Sequence, residues 1–314
     1  MSLKVDVSVY CHIGRRSNNE DNFYVNGTYM ERNQMNKGGK LHKVFEGGEQ
    51  MYAVCDGMGG AEYGEEASLR AVRAMKAYQD KATMLDTTDG LNRLISEASD
   101  DIDQISLSKG MPSGSSGSTA AMLILKDWYY RTVHVGDSRV YLLRDGVLKR
   151  ITRDDSEVQE LVDRGDITLD EAWQHPHKNV ITKHLGMPNE GYPLLPTISK
   201  RCDLKPGDRF LICSDGLSDA LHDTVISEIA NAEKSGESAV MRLARTALSD
   251  MDSAGIPSDN ITVIVVDIQS VGPQDSDVRR VKLWSAVRAL SGLATVAAAG
   301  GFGVALYHLI NMGH

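Results

Sequence analysis

Two Asp-Gly steps in this chain stand where an oxygen ligand could be aimed into a cleft. Asp56-Gly57 and Asp215-Gly216 each follow a short apolar run that is typical of a buried strand. Asp-Gly after a strand usually forms a hairpin turn, but no return strand is evident after either step. A carboxylate at the end of a buried strand, followed by a glycine-opened loop, is well suited to bind a metal ion.

A third Asp-Gly step provides a contrast within the same chain. Asp145-Gly146 lies between the strand-like runs 139–144 and 147–150. This arrangement predicts an ordinary hairpin turn. The other two Asp-Gly steps are therefore the candidates for binding a metal ion.

Further carboxylates lie next to predicted strands. Glu20 and Asp21 stand in an early polar loop, Asp137 follows an apolar run, and Asp259 precedes a very strong strand. Any one of them alone would more often be a solvated turn residue, so the prediction depends on the whole set. Carboxylates without Cys or His partners suit hard cations such as Mg²⁺ or Mn²⁺. None of the nine histidines falls at metal-ligand spacing.

Six short motifs follow one another along the chain, and five of them contain one of these carboxylates. They are RSNNED (16–21), VCDGMGG (54–60), GST (117–119), GDSR (136–139), SDGL (214–217) and SDNIT (258–262). In this order they resemble the motifs of the metal-dependent Ser/Thr protein phosphatases of the PPM class, the PP2C family, in its bacterial form. Segment 179–186 is similar to the end of the flap segment of bacterial members. The resemblance covers residues 1 to about 268.

The resemblance implies an α+β fold of four layers, in which two packed antiparallel β-sheets are flanked by helices on both outer sides. The sequence itself favours α+β over parallel α/β, because runs of strands are separated from runs of helices. The expected phosphatase domain covers 1–268, with a flap at about 152–191. The predicted helices are 62–79, 88–108, 157–164, 223–232 and 237–250, and the predicted strand meander is 119–125, 128–135 and 139–143.

The resemblance also implies metal-assisted hydrolysis of a phosphate monoester. Asp56 would bridge two Mn²⁺ or Mg²⁺ ions, with the Gly57 carbonyl on one of them, while Glu20 and Asp21 would hold or orient water. Two ions lower the pKa of a bound water and neutralise charge as it attacks phosphorus in line. The implied metal ligands are Glu20, Asp21, Asp56, Gly57, Asp137, Asp215 and Asp259.

Arg16 is the implied phosphate clamp and, with the bridging aspartate, the implied catalytic residue. A guanidinium binds phosphate bidentately, a role that Lys fills less well. A third, weaker ion is implied at Asp137, with Ser156 of the flap as a partner. Met58 stands where many eukaryotic members carry a His, so the general acid is unassigned. Asp155 stands where bacterial relatives often have His.

Other functions are compatible with parts of the sequence. A cysteine phosphatase needs Cys-x₅-Arg, and none of the four cysteines is followed by Arg at that spacing, which excludes this class. A pseudophosphatase that only binds phosphoproteins would be favoured by a missing ligand, but all the expected ligands are present. A small phosphate monoester as substrate stays open.

The amino-acid composition limits the possible binding partners of the protein and its cellular compartment. The net charge of -9 and the absence of a basic stripe with aromatics argue against nucleic acid. The four cysteines form no C-x-x-C pair, and this predicts buried free thiols in a reducing compartment. The N-terminal residues alternate as a strand, so no signal peptide is expected. The expected partners are phosphorylated Ser/Thr proteins, including a cognate Ser/Thr kinase.

The C-terminal part of the chain predicts a membrane anchor. Ala289–Ile310 contains no Asp, Glu, Lys or Arg and would extend about 33 Å as a helix, enough for a hydrocarbon core of about 30 Å. A polar and basic linker, 269–283, precedes the predicted transmembrane helix 284–312. Basic residues near a span stay in the cytoplasm, so we expect a single-pass protein of the bacterial inner membrane with a cytoplasmic catalytic domain. The alternative is a buried or interfacial helix. The basic residues are Arg279, Arg280, Lys282 and Arg288.

Overall fold

The computed structural model describes residues 2–59, 63–81, 86–188, 191–255 and 258–273. By its contacts the chain divides into two units, Met1–Gly272 and Pro273–His314, and the elements described below belong to the first. The predicted transmembrane helix lies outside the described residues. Within those residues, no helix combines the length and apolarity that a bilayer span needs.

The strands of the described residues form two antiparallel sheets. One sheet has the order β3-β1-β13-β12-β8-β9, and the other has the order β10-β7-β6-β4-β2, with β11 also on β7 and β5 on β4. The strands are β1 (Lys4–His12), β2 (Asp21–Val25), β3 (Gly39–Glu46), β4 (Glu49–Met58), β5 (Gly117–Ser118), β6 (Ala120–Lys126), β7 (Tyr129–Val135), β8 (Arg139–Arg144), β9 (Val147–Arg150), β10 (Thr197–Ile198), β11 (Cys202–Asp203), β12 (Arg209–Cys213) and β13 (Ile261–Ser270).

Helices cover the outer face of each sheet. The helices of the described residues are α1 (Arg32–Met35), α2 (Tyr63–Lys81), α3 (Thr88–Ser108), α4 (Glu157–Arg164), α5 (Leu169–Trp173), α6 (Asp215–Ser218), α7 (Asp223–Ala232) and α8 (Gly236–Ala254). Helix α2 packs on β2 and β4 with α3 beside it, and α8 packs on β1 and β13 with α7 beside it. The predicted α+β arrangement of two antiparallel sheets between helical layers is confirmed.

Strand β13 shows why an uninterrupted apolar run suits the middle of this fold. Ile264, Val266 and Ile268 face the core between the two sheets. Val263 and Val265 face a second core beneath α7 and α8. Because both faces are buried, the strand carries no polar alternation. Its end is also informative, since β13 runs to Ser270 and the predicted domain boundary at 268 falls inside it.

Most of the helices predicted from the apolar periodicity are present at the predicted positions. Those expected at 88–108, 157–164 and 223–232 have the same bounds in the structure, and the last helix continues to Ala254. Strand β3 and helix α5 were not predicted. Strand β3 is an edge strand with only Leu41 and Phe45 packed against the core, so its apolar pattern is sparse.

The two Asp-Gly steps singled out by the sequence need glycine because other backbone passes close by. A Cβ on Gly57 would lie 2.0 Å from the Gly64 carbonyl oxygen, and a Cβ on Gly216 would lie 2.0 Å from that of Asn260. Gly146 differs, because it adopts φ +79° in the β8–β9 hairpin, as predicted. One prediction needs correction: β4 does not end before its Asp-Gly step but continues to Met58.

Gly57→Ala is expected to lower the free energy of unfolding by about 3 kcal/mol, the upper end for overpacking, because the clashing atoms are backbone. Gly146→Ala is the control, since its Cβ would meet nothing closer than Asn231 Oδ1 at 3.8 Å. There only left-handed strain of about 1 kcal/mol applies. Denaturant unfolding of both variants measures the difference. An equal loss in the two would contradict the close-approach explanation.

Candidate active site

A cleft of about 380 Å³ brings most of the predicted site residues together. Asp21 does not line this cleft but is fully buried beside it. The flap contributes Asn179 and Ile181 to the lining. The predicted residues that line the cleft are Arg16, Glu20, Asp56, Gly57, Asp137, Asp215 and Asp259.

Strand pairing fixes Asp56 at the centre of this group. Asp56 on β4 lies opposite Asp21 on β2. Its backbone N–H donates to Thr119 Oγ1 at 2.9 Å, and its carbonyl accepts from the Thr119 N–H at 2.8 Å. Thr119 Oγ1 also lies 2.7 Å from Ser138 Oγ. The GST and GDSR motifs therefore hold strand β4, which carries Asp56, close to the loop that carries Asp137.

Asp215 enters the cleft from the first position of α6. The preceding Ser214 donates from Oγ to Asp21 Oδ2 at 2.7 Å and accepts from the Thr262 N–H at 3.0 Å. Asp21 Oδ1 has no hydrogen-bond partner in the described part of the chain, although it is buried. A buried, unpaired carboxylate oxygen is costly, so its place beside the cleft points to a further ligand.

Asn260 ties the polar loop that carries Arg16 and Glu20 to the start of β13. Its Nδ2 donates to the carbonyls of Ile13 at 2.8 Å and Asn18 at 3.0 Å, and its Oδ1 accepts from the Glu20 N–H at 2.7 Å. The SDNIT motif therefore positions the RSNNED motif, although the two are far apart in sequence.

The ion pair between Arg16 and Asp259 closes one side of the cleft. Arg16 Nη2 lies 2.6 Å from Asp259 Oδ2, and 57% of the Arg16 side chain is exposed. One guanidinium nitrogen is thus engaged with a carboxylate. The group has five N–H donors, so donors are left for a second anion.

The carboxylates raise one another's pKa. Burial is the main cause of a pKa of about 7 for Glu20, Asp21 and Asp215. Burial, followed by the charges of Asp21, Asp215 and Asp137, raises the pKa of Asp56 well above its ordinary value. So many buried like charges are unfavourable unless a cation compensates them.

The donor set fits a hard divalent cation. The lining of the cleft offers carboxylate, amide and backbone oxygens and contains no His or Cys. The unpaired Asp21 oxygen and the raised carboxylate pKa values both favour a cation there. Across the described ranges, no group of three His, Cys, Asp or Glu side chains is already arranged at metal-ligand geometry. Binding would therefore require the carboxylates to reorient.

The polar flap residue that lines the cleft in the described part of the chain is Asn179, not Ser156. Ser156 is 2% exposed, and its Oγ accepts the Gln159 N–H at 3.3 Å to cap α4. It does not line the cleft, whereas Asn179 does. The sequence signal for Asn179 was its place at the head of the flap segment 179–186.

Asp219 is a second residue that the sequence reasoning missed. Burial raises the pKa of Asp137 and of Asp215, and the charge of Asp219 adds to both shifts. Asp219 pairs with Lys178 of the flap at 3.1 Å. The available signal was its spacing, because residues four apart on a helical turn share one face and Asp219 follows Asp215 by four.

Asp155 fastens the flap to the loop that carries Asp137. Its carboxylate accepts the Gly136 N–H at 3.0 Å, and its own N–H donates to the Gly136 carbonyl at 2.7 Å. His134 lies behind this contact, with Nδ1 3.8 Å from Asp155 Oδ2. Burial lowers the pKa of His134.

The sequence pattern of the protein phosphatase 2C family matches residues 26–250. The chain belongs to this family. It is 35% identical over 254 residues to the serine/threonine protein phosphatase PstP of Mycobacterium tuberculosis, covering 81% of this chain. It spans only 43% of the length of that relative.

Two further comparisons extend this protein phosphatase 2C assignment. The serine/threonine phosphatase stp of Listeria monocytogenes is 33% identical over 230 residues, which cover 71% of this chain and 87% of that protein. A crystal structure of the PstP catalytic domain in complex with two manganese ions matches with a TM-score of 0.67 and 31% identity. That match covers 85% of this chain and all of the other.

Proposed function

We propose that this protein hydrolyses phosphoserine and phosphothreonine in proteins, with Mn²⁺ or Mg²⁺ as cofactor. The observation that carries the proposal is the meeting of Arg16 with a cluster of carboxylates on one cleft. Two supports are independent of this geometry. Relatives in the family are named Ser/Thr protein phosphatases, and one solved relative contains two manganese ions.

In this proposal, different residues of the cleft have different roles in binding metal and water. Asp56 lies beside the Asp215 carboxylate and opposite Asp21, so it would be the carboxylate at the centre of a site that holds two ions. Glu20 and Asp21 would orient water, and Asp259 would be a further ligand. Bound Mn²⁺ or Mg²⁺ would supply an acidified water and neutralise charge on the phosphate.

Arg16 would hold the phosphate at the open side of the cleft. Its exposed guanidinium keeps donors beyond the one that contacts Asp259. Met58 also lines the cleft, and a thioether cannot give a proton to the leaving group. The proton donor is therefore another group or water.

Arg16→Ala is expected to lower kcat/KM for a phosphothreonine peptide by about 10- to 100-fold, mainly through KM. The loss of a hydrogen bond to a charged group costs about 1.5–3 kcal/mol. Arg15→Ala is the matched control, because Arg15 pairs with Asp252 at 2.7 Å and does not line the cleft. Steady-state kinetics of both variants check this. Equal losses in the two would remove Arg16 from phosphate binding.

The proposed substrate class is tested with matched phosphoserine, phosphothreonine and phosphotyrosine peptides and a small phosphate monoester. We expect the phosphoserine and phosphothreonine peptides to be hydrolysed with the highest kcat/KM. A higher kcat/KM for the small monoester would favour a metabolite phosphatase. Binding of phosphopeptides without any phosphate release would favour a pseudophosphatase.

A cognate Ser/Thr kinase and a membrane anchor are further parts of the proposal. The kinase follows from the reaction, because phosphorylated Ser and Thr must be produced by one. The anchor is supported by the apolar Ala289–Ile310 segment and its basic flank, which favour a single pass with the catalytic domain in the cytoplasm. Cell fractionation tests it: the 314-residue chain should be found with membranes, and a chain ending at Gly272 should be soluble and active. A soluble 314-residue chain would contradict the anchor.

A further inference from the structure

A second cleft adjoins the carboxylate cleft on the side of the flap. It has a volume of about 450 Å³, within the range of ligand pockets, and we name it the flap cleft. Asp137 and Asp215 line both clefts, so the two are direct neighbours. A substrate that places its phosphate at Arg16 therefore has this second cleft beside it. The proposed hydrolysis does not use the other residues that line the flap cleft.

Twelve of the seventeen residues that line the flap cleft are polar or charged, and an apolar patch forms one part of its wall. The patch comprises the side chains of Leu148, Val158, Leu169, Ala172 and Trp173. Leu169 is 59% exposed, so its side chain is accessible to a partner at this patch. An exposed apolar surface rimmed by polar groups is typical of a binding site.

Trp173 is held rigidly at this surface. Its Nε1–H donates to the Ser218 carbonyl at 2.9 Å. The His222 ring meets it edge-on at 5.6 Å, and the Lys178 ammonium lies 5.8 Å from its ring centroid. A pre-organised aromatic side chain loses little entropy when a partner packs on it, so it is a suitable anchor point.

The charges in the flap cleft are mostly paired within the protein. Asp154 accepts hydrogen bonds from Arg139 at 2.7 Å and Arg150 at 3.1 Å. Asp223 accepts from the Tyr141 hydroxyl at 2.8 Å. Lys149 is exposed, and the described residues show no partner for it. The cleft thus combines a small apolar surface with one unpaired cation, Lys149, and with Asp137 and Asp215 at the edge that it shares with the carboxylate cleft.

We propose that the flap cleft binds an apolar side chain of the phosphoprotein next to the phosphorylated residue, with Lys149 facing an acidic neighbour. The inference rests on the proposed function, because it needs a phosphoprotein in the carboxylate cleft. It names a substrate class: phosphoserine or phosphothreonine segments flanked by Leu, Met or Phe and an acidic residue. The position of the flap cleft directly beside the carboxylate cleft and the unpaired Lys149 favour this occupant over a free small molecule.

The experiment compares phosphothreonine peptides with Leu or Ser at the flanking positions, using the 314-residue chain with Mn²⁺. We expect the Leu peptide to have a kcat/KM about tenfold higher, the effect of filling an apolar pocket. Leu169→Asp should reduce that ratio to about one. A charge at the first position of α5 suits the helix N-terminus, so the variant should fold. Leu107→Asp, at a 49% exposed leucine of α3, is the control and should keep the ratio.

Two further arms sharpen the test. Lys149→Ala should remove any preference for Asp over Asn beside the phosphorylated residue, and Trp173→Phe should weaken the Leu preference. A ratio of one in the unaltered protein, or an unchanged ratio in Leu169→Asp, would overturn the proposal while leaving the phosphatase function intact. No hydrolysis of the peptides or of p-nitrophenyl phosphate would overturn both.

Discussion

Asp56→Asn is expected to reduce turnover of phosphothreonine peptides by about 10³-fold or more. An amide keeps the size of the side chain but removes the charge that two cations would share. Electrostatic stabilisation by bound metal is worth several kcal/mol, and each 1.36 kcal/mol is a factor of ten in rate. Because Asp56 lies opposite Asp21 and contacts Asp215, the substitution acts at the centre of the cluster.

Asp145→Asn is the matched control for this substitution. It is also an Asp before a Gly, but it sits in the exposed β8–β9 hairpin with φ +52°, where Asn is well tolerated. We expect no measurable change in its kcat. Circular dichroism and thermal unfolding should show both variants folded. A modest loss for Asp56→Asn, comparable with that for Arg16→Ala, would contradict a shared-ligand role.

Mn²⁺ is expected to raise Tm by about 5–10 °C at saturation, and the increase should be larger at pH 8 than at pH 6. Ligand at about 100 times its Kd stabilises by about 2.7 kcal/mol, and each kcal/mol shifts Tm by about 2–4 °C in a domain of this size. The pH dependence follows from the carboxyl groups of Glu20, Asp21 and Asp215, whose pKa values are about 7 in the folded metal-free protein.

The sign of this dependence can be worked out from the protons bound. Between the ordinary carboxyl pKa near 4 and about 7, the folded metal-free protein holds protons that the unfolded chain has released. Its stability therefore falls as the pH rises through this window. Cations replace those protons and remove the repulsion. Calorimetry from pH 5 to pH 8, with and without Mn²⁺, measures both trends. A metal-free Tm that rises with pH would contradict the electrostatic account.

The parts of the fold that follow local rules could be predicted from the sequence. Helix α3 was expected from the spacing of Leu91, Leu94, Ile95 and Ile102, all of which are buried. The β8–β9 hairpin was expected from its Asp-Gly turn. These elements depend on periodicity and turn chemistry, which act within a few residues.

The features that sequence reasoning missed depend on contacts between distant segments. Ser156 and Asn179 are both polar flap residues, and only the folded backbone decides that one caps α4 and the other lines the cleft. The need for glycine at position 57 likewise comes from the Gly64 carbonyl across the chain. Most of the predicted site residues nevertheless line one cleft, because the carboxylates stand beside strands whose ends meet.

The most direct test of the central claim is a titration of Mn²⁺ into chelator-stripped protein, with bound metal and phosphate release from a phosphothreonine peptide recorded together. The account predicts no release without metal and a rise in activity as about two ions bind to the cleft. In Asp56→Asn the same titration should show weaker binding and almost no release. Full turnover by the metal-free protein would contradict the claim that this carboxylate cluster works through bound cations.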